Sequence, residues 1–326
     1  MSGYGEDLVS VMDKAKKLAL EIGSCCEVSK ALNDQSRPCH DVVQWQADQW
    51  KPQILQIENS KMHRPEAWTG EIVNAPILFL SSNPSFNADE NYPNWRLGEE
   101  EWPLEKVADF SVKRFTSEIN RGYGASDGLS AKEVDRTIGK KGELLHKVTY
   151  WNWARSMVAY IHGKEIAQVS AHSDYAMTEI VHCKSKGEKG VKKARLTCKD
   201  KFLERILEIS QAELIIISGK HACEDIKAIY PERFPSQWGL WNADGSSSDG
   251  FWPKKIERFP MEVASGKWSL DVQLKHSVRL EVAGRTRTFQ YFAKSGGGGG
   301  LNAPWKYPEL VHPEVLGIWR NLINHK

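Results

Sequence analysis

The sequence predicts an α/β protein, with three α/β/α layers around a central, mostly parallel sheet. Three observations carry that expectation. Two short apolar runs of strand length, Pro76-Ile77-Leu78-Phe79-Leu80 and Leu214-Ile215-Ile216-Ile217, each lead into turn residues. Strand-like and helix-like segments alternate along the second half of the chain, the pattern of right-handed β-α-β crossovers. Hydrophobic residues make up 40% of the 326-residue chain and charged residues 26%, ample material for a buried core.

Taken in order, residues 7–33 place Leu8, Val11, Met12, Ala15, Leu18 and Ile22 at helical spacing, and a second helix is expected over 41–57. Residues 1–60 thus read as a helical N-terminal extension, ahead of an α/β domain over 61–326. The run at 76–80 is the first core strand, and Ser81-Ser82-Asn83-Pro84-Ser85-Phe86 is its turn. Residues 87–140 are polar and punctuated by Gly122, Gly124 and Gly128, an insertion expected to carry short helices. A packed helix is expected over 150–161, a strand over 175–181, and a helix over 198–210 with Phe202, Ile206 and Ile209 on one face. The strand at 214–217 turns through Ser218-Gly219 into a helix near His221. A second insertion spans 231–288, where the alternation Val278-Arg279-Leu280-Glu281-Val282 indicates a β-hairpin. Phe289 to Ala293 is the last core strand. Lys294-Ser295 and an unbroken glycine run, Gly296 to Gly300, follow it, and a helix over 313–323 closes the chain. There is no internal repeat.

No stretch reaches the roughly 18 apolar residues of a membrane span, and the acidic start lacks the layout of a signal peptide. A cytoplasmic monomer without membrane contact is expected. Six scattered cysteines do not make a disulfide framework, so reduced thiols are expected. The net charge is only +2, but it is unevenly spread. Lys184, Lys186, Lys189, Lys192, Lys193, Arg195, Lys199 and Lys201 face only Glu188 and Asp200 in the same stretch. Such an excess is either a phosphate-contact surface centred on Lys192, Lys193 and Arg195 or a solvated charged face.

Ligands of a parallel α/β sheet bind beyond the carboxyl ends of its strands. The segments there carry the motifs. Arg64-Pro65-Glu66-Ala67-Trp68-Thr69-Gly70-Glu71-Ile72, then Ala75 to Leu80, then Ser81-Ser82-Asn83-Pro84-Ser85 resembles the first motif of the uracil-DNA glycosylase superfamily. Tyr175-Ala176-Met177-Thr178-Glu179-Ile180-Val181-His182-Cys183 resembles the base-reading strand of that superfamily, and Leu214 to Ala222 its continuation. The resemblance covers roughly residues 60–325, interrupted by the two insertions. It implies a uracil-DNA glycosylase-like fold and an enzyme that flips a pyrimidine nucleotide out of DNA and hydrolyses its N-glycosidic bond.

The resemblance also implies roles. Asn83 falls where the superfamily orients the attacking water or stabilises the sugar cation, with Asp89 and Glu90 as nearby acids and Phe86 as the stacking face. Ser81 and Ser85 replace the usual glycines. Glu179 stands four positions before Cys183, where an asparagine usually reads uracil. An amide can donate to uracil O4 and accept from N3–H, whereas an ionised carboxylate only accepts. A protonated carboxyl instead matches cytosine, and burial favours that form. The base expected is therefore a modified cytosine, and the activity a defence against viral DNA that carries one. Lys294-Ser295 occupies the place of the usual histidine that stabilises the leaving base. The glycine loop, with Gly298 at its centre, would carry Leu301 into the space left by the flipped nucleotide, with Lys306 near the backbone. His312 precedes a helix and reads as structural. Some branches hold an iron–sulfur cluster on four cysteines; Cys183 and Cys198 have nearly the right spacing, but Cys25 and Cys26 are adjacent and Cys39 stands apart. No cofactor or metal is expected. Two other readings stay open: a non-catalytic DNA-binding module on the same fold, and a conventional uracil-excision repair enzyme.

Overall fold

The computed structural model describes residues 3–50, 62–95, 103–113, 136–139, 143–236, 238, 270–292 and 311–324. Helices α1 (Gly3–Gly23) and α2 (Cys26–Asn33) occupy the segment expected to be one helix. Cys25 interrupts it: its ψ of 114° is extended, so it caps α2 instead of continuing α1. Helix α3 (His40–Trp50), the short strands β1 (Met62–His63) and β2 (Trp68–Thr69), and the core strand β3 (Ile77–Ser81) follow. The first insertion supplies β4 (Asn94–Trp95), which pairs with β1, and α4 (Leu104–Lys113). Strands β5 (Arg136–Ile138) and β6 (Leu144–Lys147) make a small antiparallel pair.

Helix α5 (Thr149–His162) stops at Gly163, whose φ of +65° lets its amide return to the last-turn carbonyls. Strand β7 (Ala176–Glu179) leads to α6 (Val191–Cys198), a π-helical turn (Lys199–Leu203) and α7 (Glu204–Ile209). This helical segment begins at Val191, well before the expected 198, because the basic stretch itself is helical. Strand β8 (Leu214–Ser218), α8 (Lys220–Ile229), α9 (Leu270–Lys275), β9 (Ser277–Val282), β10 (Arg285–Phe292) and α10 (Pro313–Asn324) complete the chain.

Six strands form the central sheet in the order β2-β7-β3-β8-β10-β9. The inner four run parallel, and β2 and β9 are antiparallel edges. Strand β10 has two roles. Arg285 to Gln290 pair with β9 as a hairpin, while Thr288 to Phe292 pair in parallel with β8. Ala283 and Gly284 both have positive φ, the backbone that a tight two-residue hairpin turn requires.

Side chains alternate across the sheet. Ile77, Phe79, Met177, Leu214 and Ile216 face α5 and α10, packing on Trp153, Met157, Val158 and Trp319. Leu78, Leu80, Ala176, Ile215 and Ile217 face the opposite layer, where helices α6 to α8 and α1 to α3 share one apolar cluster. The first three helices are therefore not a separate packing unit from the α/β domain. Gly190 shows how close they come: a Cβ there would lie 2.5 Å from the backbone of Asp41 in α3. Among the described residues, no helix is long and apolar enough to cross a membrane.

His276, buried between α9 and β9, links this sheet edge to the rest of the molecule. Its carbonyl accepts hydrogen bonds from Trp238 Nε1 at 2.9 Å and Tyr291 N at 3.0 Å. Burial, with help from Lys275, pushes the imidazole down to about 3 from 6.5, so the folded protein holds it neutral. The unfolded chain takes up this proton below about pH 6.5 while the folded one refuses it until about pH 3. Stability from this group is thus full above pH 6.5 and is lost as pH falls toward 3. The urea midpoint is expected to drop between pH 7 and pH 5 by the equivalent of about 2 kcal/mol from His276. An unchanged midpoint would show that the ring is charged in the folded state.

Candidate functional site

The chain leaves β3 for β7 on one side, and β8 lies on the other. Strand order therefore reverses between β3 and β8, and beyond their carboxyl ends is the crevice where doubly wound sheets bind ligands. Polar groups gather at those ends. Ser81 closes β3, in register with Glu179 at the end of β7, and Ser218 closes β8. Ser81 and Glu179 are each 8% exposed and Ser218 2%, a costly placement for polar side chains unless they bind one another or a ligand. Tyr150, in the first turn of α5, brings a buried hydroxyl between Ser81 and Ser218 and close to Glu179. Burial raises the Tyr150 pKa, and the Glu179 carboxylate raises it further, so the phenol stays neutral and able to donate.

The turn after β3 is fixed by the chain beyond β7. Ile180 N donates to Ser81 O and Val181 N to Ser82 O, both at 2.9 Å, and Ser185 N donates to Pro84 O at 3.0 Å. Asn83 is half-buried at this junction. Its Nδ2 donates to Ser185 Oγ at 3.0 Å, Ser185 O at 3.3 Å and Pro84 O at 3.0 Å. Among the described residues nothing donates to its Oδ1, which leaves an oriented acceptor. The neighbouring Ser82 hydroxyl donates to Glu188, which also approaches His221 Nε2 at 3.3 Å. That pair joins the β3, β7 and β8 loops across the crevice.

Beneath the turn lies a buried charge cluster. Lys184 Nζ is 3.0 Å from Glu66 Oε2, 3.2 Å from Glu90 Oε2 and 3.9 Å from the centre of the Tyr92 ring. All three charged side chains are at most 4% exposed. Gln46 of α3 completes the clamp, donating to Lys184 O at 2.6 Å and accepting from His63 N at 3.1 Å. The cluster anchors the far end of the segment at Glu90 and Tyr92, while Ser185, next to Lys184 in the chain, holds Asn83 and Pro84 at the near end.

The other sequence-derived candidates separate. Asp89 is exposed on the turn, its amide bonded to Asn87 Oδ1 at 3.1 Å. Phe86 is half-buried, with its ring packed edge-on to Trp45 (5.4 Å between centroids) and tilted on His63 (4.7 Å), so aromatic neighbours already occupy part of its surface. Lys192 is exposed, and Lys193 is exposed while paired with Asp41 at 3.2 Å. Arg195 differs from the expectation. Its side chain is only 12% exposed, and its guanidinium binds Asp225 at 2.8 Å, Glu224 at 3.3 Å and the His221 carbonyl at 3.1 Å. With its donors committed to carboxylates, Arg195 ties α6 to α8 and does not present its charge to a phosphate. Lys294, Ser295, Gly298, Leu301 and Lys306 lie outside the described residues.

Tyr150, Ser218, Glu66 and Lys184 are absent from the sequence-derived site, and Glu90, expected there as an acid near Asn83, is instead buried in an ion pair with Lys184. Tyr150 sits in an ordinary amphipathic helix, and nothing local marks it. Lys184 opens the basic stretch, where it counts as one more surface charge. Comparison with protein-family models and with curated proteins finds no match for this chain.

Proposed function

We propose that this chain is a DNA glycosylase that takes a flipped pyrimidine nucleotide into the crevice beyond β3 and β8 and hydrolyses its N-glycosidic bond. The observation that carries the reading is the gathering of Ser81, Glu179, Tyr150 and Ser218 beside Asn83, at the carboxyl ends of parallel strands. N-Glycosidic hydrolysis needs an oriented water, shielding of the sugar cation and donors for the departing base. Asn83 fits the first of these requirements, since its Nδ2 is held by Ser185 and Pro84 while Oδ1 is left to accept from water. Glu179 and the neutral Tyr150 hydroxyl fit an edge-reading role toward a base. Lys294 and Ser295 are assigned to the leaving group and Leu301 to the gap in the duplex, on the motif resemblance alone. A modified cytosine is the favoured base, and a defence against DNA that carries it the favoured setting.

Duplex oligonucleotides with uracil, cytosine or bulky cytosine derivatives would be incubated with the protein, and released base measured by mass spectrometry. Asn83→Ala should slow single-turnover release about a hundredfold and leave DNA affinity largely unchanged. Release of no base from any of these substrates would exclude the glycosylase reading and favour a DNA-binding role. Equal rates for the variant and its parent would remove Asn83 from the mechanism.

A further inference from the structure

We propose that a second ligand site lies at the pole of the sheet opposite the crevice, and that it binds a phosphate monoester on a hydroxylated skeleton, the chemistry shared by sugar phosphates and mononucleotides. The site is an open cavity of about 540 Å³ between the C-terminal end of α8, the first turn of α7 and the outer strand β9. The inference stands apart from the glycosylase reading, since it uses none of the residues assigned to that reaction.

The topology separates the two places. Ser218 and Phe292 are paired at the crevice end of β8 and β10, and Leu214 and Thr288 at the other end. About 13 Å of strand lies between those ends. Helix α8 starts beyond the crevice end and runs back along the sheet, which carries its C-cap residue, Tyr230, to the far pole. Arg287, one residue before Thr288, arrives there on β10.

Charge at this pole is left unmatched. Arg287 is fully buried, yet no carboxylate pairs with it among the described residues. Its Nη2 donates to Leu207 O and Ser210 O, each at 2.7 Å, while Nε and Nη1 have no acceptor among those residues. Burial, with Arg285 nearby, lowers its pKa only to about 10, so the guanidinium keeps its charge at neutral pH. Tyr230 lies beside it and is 8% exposed, and its buried hydroxyl also lacks a partner among the described residues. Burial pushes that phenol up to about 12, so it stays neutral. Arg233 lies over the Tyr230 ring, 5.6 Å from its centre, and donates to Glu281 O. Arg279 of β9 is an exposed lining residue. Glu204 and Glu281 line the same cavity, yet neither Arg233 nor Arg279 forms an ion pair with them or with any other described residue.

These features select the ligand. Guanidinium groups without a carboxylate partner call for an anion, and the planar fork of arginine matches phosphate oxygens. Arg287 lies behind the wall and adds its field through a medium of low dielectric. Glu204 and Glu281 repel a polyanion such as a nucleic-acid strand but accept hydrogen bonds from hydroxyls. Leu280 and Ala283 supply little apolar surface, so an apolar ligand is a poor match. The volume falls within the range of small-molecule sites, about 300–1,000 Å³.

The full-length protein would be titrated calorimetrically with inorganic phosphate, ribose, ribose 5-phosphate and adenosine monophosphate. One or both of the phosphate esters should bind about tenfold more tightly than inorganic phosphate or ribose, and the tighter ester names the source. Arg233→Gln and Arg279→Gln should each weaken that binding by about tenfold, since each removes a charge-assisted contact. Arg285→Gln, exposed on the hairpin outside the cavity, and Asn83→Ala, in the crevice, should bind as the parent does. Failure of both esters to bind at millimolar concentration would overturn the proposal, as would inorganic phosphate binding as tightly as either. Binding that survives both arginine substitutions but is lost in Asn83→Ala would place the ligand in the crevice and also overturn it. Arg279 is exposed and forms no ion pair among the described residues, so its substitution tests the site without depending on the fold.

Discussion

The unsubstituted protein is expected to release a cytosine derivative from DNA and to leave uracil in place, by a margin on the order of 10⁴-fold. The reason is the hydrogen-bond inventory. Uracil presents a donor at N3 and an acceptor at O4, and cytosine presents the reverse. A protonated Glu179 can donate to cytosine N3 and accept from its amino group, whereas an ionised one would meet uracil O4 with repulsion. The carboxyl lies at the buried end of β7, in register with Ser81 and close to the neutral Tyr150 hydroxyl. A pocket whose polar groups are left unpaired by the wrong base discriminates far more strongly than one relying on shape alone. Glu179→Asn should erode the preference, because an amide can donate to O4 and accept from N3–H. Efficient uracil removal by the parent protein would defeat both the role of Glu179 and the modified-cytosine substrate.

Lys184→Met is expected to destabilise the fold by about 3–5 kcal/mol, the usual consequence of stripping one partner from a buried ion cluster. The substitution keeps most of the side-chain volume but leaves Glu66 and Glu90 facing each other with the shared ammonium gone. Neutralising those carboxylates tests the cause. The triple substitution Lys184→Met, Glu66→Gln, Glu90→Gln should recover much of the loss, since the desolvation cost of the anions disappears with their charge. Urea denaturation of the three proteins would measure it. A loss below about 1 kcal/mol for Lys184→Met, in the range of an exposed ion pair, would mean that the cluster contributes little. Because the Lys184–Glu90 pair anchors the far end of the turn that begins at Asn83, local proteolysis within residues 83–92 should also rise in the single variant.

The central strands were legible because each is a short run of apolar residues with turn residues at its end. Leu214 to Ile217 and Ile77 to Leu80 are buried on both faces, so local composition alone marks them as core strands. The turn bearing Asn83 was legible for the same reason, since proline and serine follow directly on an apolar run. Helix boundaries were less so. The break at Cys25 has no glycine or proline at its own position, and it arises where α2 turns to pack against α3. The start of α6 was less legible because its short buried face, Val191, Ala194 and Cys198, is interleaved with Lys192, Lys193 and Arg195.

Chemistry that depends on distant residues meeting was not legible at all. Lys184 has the composition of a surface charge, and only burial against Glu66, from more than a hundred residues earlier, makes it part of a core. Arg195 looks identical to Lys192 in sequence, yet carboxylates on α8 consume its charge while Lys192 stays in solvent. Tyr150 reaches Ser81 and Ser218 only because the crossover helix lies over the ends of β3 and β8. Strand composition and turn chemistry act between neighbours along the chain and can be read there. Which side chains share a buried site is set by sheet order and helix packing, and these depend on the free energy of the whole core.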